Sequence, residues 1–236
     1  MLKLSGRPQS ATFLNLRRLT MTDIIKLTME NLEKNKMQTF YAENKAKAKK
    51  TALSLISKGD TIGVGGSVTL NELDLLTDFR SGDYIFLDRY GDKTTEEIHE
   101  IFHKSLSADA YFLSANAVTE NGELYNVDGN GNRVAACIYG PKKVIVIVGK
   151  NKIVKNMNEA VLRVKSTAAP LNCQRLNKKT PCAATGRCIA FENGGALNPA
   201  AGCRSKDRIC RSYVTLGEQV NPDRIKVIIV NEDLGY

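Results

Sequence analysis

Thr61-Ile62-Gly63-Val64-Gly65-Gly66-Ser67-Val68-Thr69-Leu70-Asn71-Glu72 carries the reading of the whole chain. Thr61–Val64 is short, apolar and rich in β-branched residues, as a buried strand is. Gly65 and Gly66 then turn the backbone. Thr69 and Glu72 have the spacing of a helix capping box, and Leu70, Leu73, Leu76 and Phe79 trace one apolar helical face. A strand that runs straight into a helix through a glycine turn is the repeating unit of α/β proteins.

The same alternation continues on both sides. Residues 22–37 predict a helix, 37–42 a strand, and 43–57 a Lys/Ala-rich helix closed by Gly59. Downstream, Tyr84–Asp88 reads as a strand, and Thr94 with Glu97 forms a second capping-box pattern opening a helix to about residue 107. Ala110–Ser114, Leu124–Val127, Val144–Val148, Val214–Leu216 and Ile225–Val230 read as further strands, with helices near 133–139 and over 158–167. Alternation of this kind predicts an α/β fold: a mostly parallel sheet with helices on both faces. The expected organisation is a leader or upstream start over residues 1–20, then one domain over 21–236.

Ligands on such sheets bind beyond the carboxyl ends of strands, so the loops there are the candidate site. In the first, Gly63, Gly65 and Gly66 let the backbone approach a ligand closely, Ser67 and Thr69 add hydroxyls, and the following helix start offers free amides to a phosphate or carboxylate. The loop is neither a Walker motif nor a complete dinucleotide fingerprint. In the second, Asn116, Asn121, Asn130 and Asn132 sit among glycines in a pattern that exposes amides, Glu120 and Asp128 are acid–base candidates, and Arg133 would hold a carboxylate or phosphate. Plain turn chemistry explains the same residues, so both readings stay open. His99-Glu100-Ile101-Phe102-His103 matches the zinc-protease pattern H-E-x-x-H but lacks the expected third ligand on a second helix.

The 236 residues are 42% hydrophobic and carry a formal charge of +9. Lys3, Arg7, Arg17 and Arg18 supply part of that excess. The other basic residues are spread along the chain, and Lys45-Ala46-Lys47-Ala48-Lys49-Lys50 reads as a solvated helix face, so no nucleic-acid partner is expected. No apolar run approaches the ~20 residues of a membrane span, and residues 1–20 lack the apolar stretch and cleavage site of a secretory signal. The expected compartment is therefore the reducing cytoplasm.

Five of the six cysteines fall between residues 173 and 210. In a reducing compartment such a cluster points to metal ligands or free thiols before disulfides. Cys182, Cys188, Cys203 and Cys210 are the candidate ligands, for an iron–sulfur cluster or Zn²⁺, and the arginines 187, 204, 208 and 211 would favour their thiolates. Their C-x5-C-x14-C-x6-C spacing matches no standard zinc-ribbon or ferredoxin pattern. Cys137 lies apart and reads as a small buried apolar residue.

Several blocks taken in order are similar to stand-alone proteins of the LUD-domain, or lactate-utilization, family. They are Gly63–Thr69, Phe86–Tyr90, Asn116–Gly122, Tyr125–Asn130, Gly140–Val146, Asn151–Val154, Thr180–Cys182, Asp207–Cys210 and Asp233–Tyr236. The resemblance implies a fold like ribose-5-phosphate isomerase and CoA transferases, with the glycine loop in the place of their phosphate loop. By analogy with the wider family it also implies a redox part in oxidising lactate to pyruvate with iron–sulfur partners, while the strand-end loops make a small anionic metabolite the expected ligand. Two other readings stay open: transfer or isomerisation on a phosphorylated or CoA-linked substrate with Glu120 as base, and a non-catalytic zinc subunit. A homo-oligomer is compatible with all three. This chain departs from the family in its cysteine tail, where Cys188 and Cys203 are separated as if Phe191–Gly202 contained an insertion. Cys173 stands where the family has Ala, and so falls outside the expected ligand set.

Overall fold

The computed structural model describes residues 19–236; residues 1–18, and with them most of the expected leader, lie outside the described residues. The most apolar strand explains the layering. In β7 (Lys143–Gly149), Val144, Val146 and Val148 enter one core, while Ile145 and Ile147 enter another. A strand alternates its side chains between faces, so a strand apolar at every position must be covered on both.

Six parallel strands form the main sheet, in the order β1 (Gln38–Ala42), β10 (Ile225–Val230), β7, β4 (Ala110–Leu113), β2 (Thr61–Val64) and β3 (Ile85–Phe86). Helices α1 (Met21–Lys34), α5 (Thr95–Ser105) and α6 (Asn132–Ile138) lie on one face, where Ile25, Leu32 and Cys137 join Tyr111 and Leu113. Helices α2 (Lys45–Ser54), α3 (Val68–Glu72) and α4 (Leu75–Ser81) cover the other through Ala48, Ala52, Leu70 and Phe79. Each fully buried Val, Ile, Leu or Phe contributes about 1.5–3 kcal/mol. The α/β expectation is met, with helices on both faces.

A second, four-stranded sheet has the order β8 (Ile153–Val154), β5 (Ala117–Thr119), β6 (Leu124–Asp128) and β9 (Ser212–Leu216). Ala117 and Tyr125 of this sheet pack on Ala160, Val161, Val164 and Ala169. Those residues belong to a continuous helical run: α7 (Met157–Arg163), a π turn (Val164–Ala168) and α8 (Ala169–Arg175). The helix expected over 158–167 therefore starts earlier and continues further. The cysteine segment then holds α9 (Pro181–Thr185) and a 3₁₀ turn at Ile189–Phe191.

One capping box forms as the spacing predicts: Thr94 Oγ1 accepts from the Glu97 amide and Glu97 accepts from the Thr94 amide. The other does not. Helix α3 starts at Val68, capped by Ser67, and stops after five residues, before Asp74 at φ 51°. Thr69 and Glu72 are engaged elsewhere. Thr69 accepts from Lys152, and Glu72 accepts from the Gly235 amide at 3.1 Å.

Candidate functional site

The carboxyl ends of β2, β4 and β7 lead into three neighbouring segments: Gly65–Ser67, Ser114–Asn116 and the 3₁₀ turn Lys150–Lys152. Together with 127–133, α8, the π turn and residues 206–211, they enclose a cavity of about 510 Å³. That volume suits a metabolite-sized ligand. Of the residues expected to bind, Gly66, Ser67, Asn116, Asp128, Asn130, Asn132 and Arg133 line it. Eight basic side chains line it against two acids. Both acids are tied to backbone amides: Asp207 accepts from Lys179 at 2.9 Å, and Asp128 from Asn130, Gly131 and Val134 at 3.2–3.3 Å.

The glycine loop supplies donors without a long helix behind it. A five-residue helix sums few peptide dipoles, so α3 gives little of the field the loop was expected to borrow. The Gly65 amide is spent on Phe112 O at 2.8 Å. Among the described residues the amides of Gly66 and Ser67 make no hydrogen bond, which leaves two main-chain donors on cavity-lining residues. Arg89 lies beside Gly66, where an added Cβ would be 3.7 Å from its guanidinium. The Arg89 guanidinium stacks over Phe102 at 4.8 Å and makes no hydrogen bond or ion pair among the described residues.

Arg133 was expected to hold the ligand, but its donors are used internally. Nη1 donates to Ser114 O and Asn126 Oδ1, Nη2 to Asn116 Oδ1 and Val127 O, and Nε faces Asp128 Oδ2 at 3.7 Å. It ties the second sheet to the carboxyl end of β4 and gives the cavity charge rather than free donors. Asp128, the expected acid–base group, is likewise a loop-holding carboxylate.

The sequence reading missed Lys152. It is 3% exposed and lines the cavity. Its Nζ donates to Thr69 Oγ1 and Ser114 Oγ, both at 2.9 Å. Burial, and then the charges of Arg163 and Arg133, push its pKa down to about 7; Glu72 opposes them. Arg163 is itself pushed down to about 10 by burial and donates to Asn116 O at 2.7 Å. The available signal was positional: Lys152 stands three residues past the end of the most apolar strand. Thr69 is fully buried behind the cavity as its partner.

Other expected residues lie elsewhere. Gly63 is inside β2, where an added Cβ would meet Tyr111 at 2.8 Å, and Gly65 has the same relation to Arg133 at 2.9 Å. Glu120 and Asn121 do not line the cavity. They occupy the turn between β5 and β6, whose carbonyls accept from Asn31 and Asn35 of α1 and its cap. The pattern His99-Glu100-x-x-His103 lies on the exposed face of α5, with Glu100 paired to Lys104 at 3.6 Å.

The cysteines gather. Cys182, Cys188, Cys203 and Cys210 line one apolar cavity of about 30 Å³, and Cys173, left out of the expected set, lines it too. Cys210 also lines the larger cavity. The long Phe191–Gly202 loop brings Cys203, which follows it, back to the group: an added Cβ on Gly202 would stand 3.7 Å from Cys188 Sγ. Lys165 pins that loop through the carbonyls of Gly195 and Asn198. A hydrogen bond from Cys173 lowers the Cys182 pKa and raises that of Cys173; burial and then the neighbouring thiols push Cys210 up to about 12. Sulfur donors suit a thiophilic metal. Yet no three His, Cys, Asp or Glu side chains among the described residues stand where they would jointly hold a metal ion. Cys137, buried as expected, is pushed up to about 11 by that burial.

Fold and cavity together define an α/β protein whose parallel sheet opens, at the carboxyl ends of its central strands, into a cationic pocket. The chain belongs to the LUD-domain family, whose model matches residues 25–230. Among solved structures, it is similar to a DUF162 family protein from Deinococcus radiodurans. That protein is 15% identical, the match covers 90% of this chain and 99% of the other, and the TM-score is 0.48. The eIF2B delta protein from Chaetomium thermophilum is 23% identical over 48% of this chain and 49% of its own, at a TM-score of 0.33. No curated protein matches the chain. Among the described residues, no helix is long and apolar enough to cross a membrane.

Proposed function

We propose that this protein binds one small anionic metabolite in the strand-end cavity, between the Gly66–Ser67 amides and Arg89, with Lys152 at the base. The observation that carries the reading is the charge of the wall: basic side chains outnumber acids, and both acids are already satisfied by amides. Isothermal titration of the full chain with inorganic phosphate and with pyruvate tests it. The expected result is saturable binding of one anion per chain, weakened about tenfold by Arg89→Gln, the loss of one charge-assisted contact. Absence of saturable binding for every small anion tried would overturn it.

A second reading, favoured by the gathering of thiols, gives Cys182, Cys188, Cys203 and Cys210 a single zinc ion, with a structural role. It requires the sulfurs to draw inward from their present positions. Metal analysis after anaerobic purification, repeated on Cys188→Ser, decides it: stoichiometric zinc lost in the variant supports the reading, and a metal-free wild type ends it. A redox part in lactate oxidation, implied by the resemblance, rests on this thiol group. The transferase or isomerase alternative loses its assigned base, since Glu120 lies outside the cavity.

A further inference from the structure

We propose that Lys152 is a nucleophilic amine that forms an imine with a small anionic carbonyl compound held in the strand-end cavity. This rests on the anion-binding reading and adds to it the substrate class and the reacting atom. A lysine buried for structural reasons is usually paired with an acid or with carbonyl oxygens that stabilise its charge. Lys152 is buried, yet its hydrogen-bond partners are two hydroxyls, Thr69 Oγ1 and Ser114 Oγ. Buried Lys165 provides the contrast: its ammonium is bonded by the carbonyls of Gly195 and Asn198 and fastens a loop.

The surroundings favour the uncharged amine. Arg133 from α6 and Arg163 from α7 both hold the Ser114–Asn116 segment that Lys152 touches, through Ser114 O at 3.0 Å and Asn116 O at 2.7 Å. Glu72 from α3 is the opposing charge, and it also accepts from the Gly235 amide. Gly235 closes over the amine from behind. An added Cβ there would stand 2.8 Å from Thr69 Oγ1 and 3.4 Å from Lys152 Nζ. Asn151 fixes that tail by accepting from the Leu234 amide and donating to Gly235 O, each at 3.1 Å. Desolvation and neighbouring cations are the two means by which a lysine becomes a nucleophile near neutral pH.

The step balances without an oxidant or reductant. The Nζ lone pair attacks the carbonyl carbon, an N–C bond forms, and one N–H proton passes to the carbonyl oxygen by way of the Ser114 or Thr69 hydroxyl. The carbinolamine then loses that hydroxyl with the second nitrogen proton as water, leaving C=N. The anionic end of the same molecule is held by Arg89 and the Gly66–Ser67 amides. A 2-oxo carboxylate and a phosphorylated ketone share this chemistry.

Reductive trapping tests the proposal. The full chain is incubated with pyruvate, dihydroxyacetone phosphate or acetone, reduced with cyanoborohydride, digested and mapped by mass spectrometry. The expected result is one reduced adduct on the peptide containing Lys152 with one of the two anions, and none with acetone, which lacks the anionic group. Which anion reacts identifies the source of the charge. Adduct yield rises about tenfold between about pH 6 and about pH 8, as the amine loses its proton. Because the wild-type protein is mapped, the result does not depend on a variant folding; Lys152→Met is expected to abolish the adduct. Modification scattered over surface lysines, or no adduct in a chain that binds the same anion by calorimetry, overturns the imine and leaves anion binding standing. Absence of both overturns both.

Discussion

Two polar, glycine-bearing stretches, Thr119–Gly122 and Asp128–Arg133, look alike in sequence and sit at opposite ends of one strand. The first is the turn between β5 and β6. Its carbonyls accept from Asn31 and Asn35, and Gly122, at φ +82°, lies against the α1 backbone. The second lines the cavity, with Asp128 holding the loop amides and Arg133 bracing β4. The same residue types dock a helix in one place and shape a cationic pocket in the other. Position relative to the carboxyl ends of the parallel strands separates them, as expected for α/β sheets.

The largest expected contrast is steric. An added Cβ on Gly122 would lie 2.4 Å from the Asn31 carbonyl carbon, whereas one on Gly66 would meet Arg89 at an ordinary 3.7 Å. Gly122→Val is therefore expected to cost about 3 kcal/mol or more, and Gly66→Ala under about 1 kcal/mol, read from denaturant midpoints. If both variants proved equally stable, the docking role of the turn would fail.

Lys152 comes next. Its folded pKa, about 7, lies below the ordinary 10.5, so the unfolded chain binds more protons between those values. The penalty is fully present below about pH 7 and is relieved as pH rises towards 10.5. Each pKa unit is about 1.4 kcal/mol, partly offset by the two hydroxyl contacts. Lys152→Met is thus expected to stabilise the fold by about 2 kcal/mol at about pH 6, with the gain gone near pH 10, by chemical denaturation at both pH values. A pH-independent gain would show that the amine is charged throughout.

Smaller effects separate the two carboxylates. Asp128→Ala removes the acceptor of three amides and is expected to cost about 1–3 kcal/mol and to weaken anion binding, measured by denaturation and calorimetry. Glu120→Gln is expected to leave stability within about 0.5 kcal/mol and affinity within about twofold, because among the described residues only its main-chain groups are engaged.

Strands that are mostly apolar and β-branched, Thr61–Val64, Val144–Val148 and Ile225–Val230, could be read from the residues alone. Strands of two or three residues, Ala117–Thr119 and Ile153–Val154, could not, because they exist only through their partners in the second sheet. The cavity loops followed from glycines and amides placed after strands. Lys152 did not, since its burial depends on Thr69 and Gly235, each 83 residues away along the chain. Clustering in sequence foretold the gathering of thiols. Cys173 falls outside the expected set because it stands where the family has Ala, yet helix α8 carries it to the other thiols.

Amide chemical-shift mapping of the isotope-labelled chain during titration with pyruvate locates the anion against both stretches at once. Saturating shifts at Gly66, Ser67, Asn116 and Asn130, with Asn121 and Gly122 unmoved, are the predicted result. Shifts centred on Glu120–Gly122, or weak non-saturating shifts scattered over the basic surface, would contradict the assignment of the strand-end cavity as the binding site.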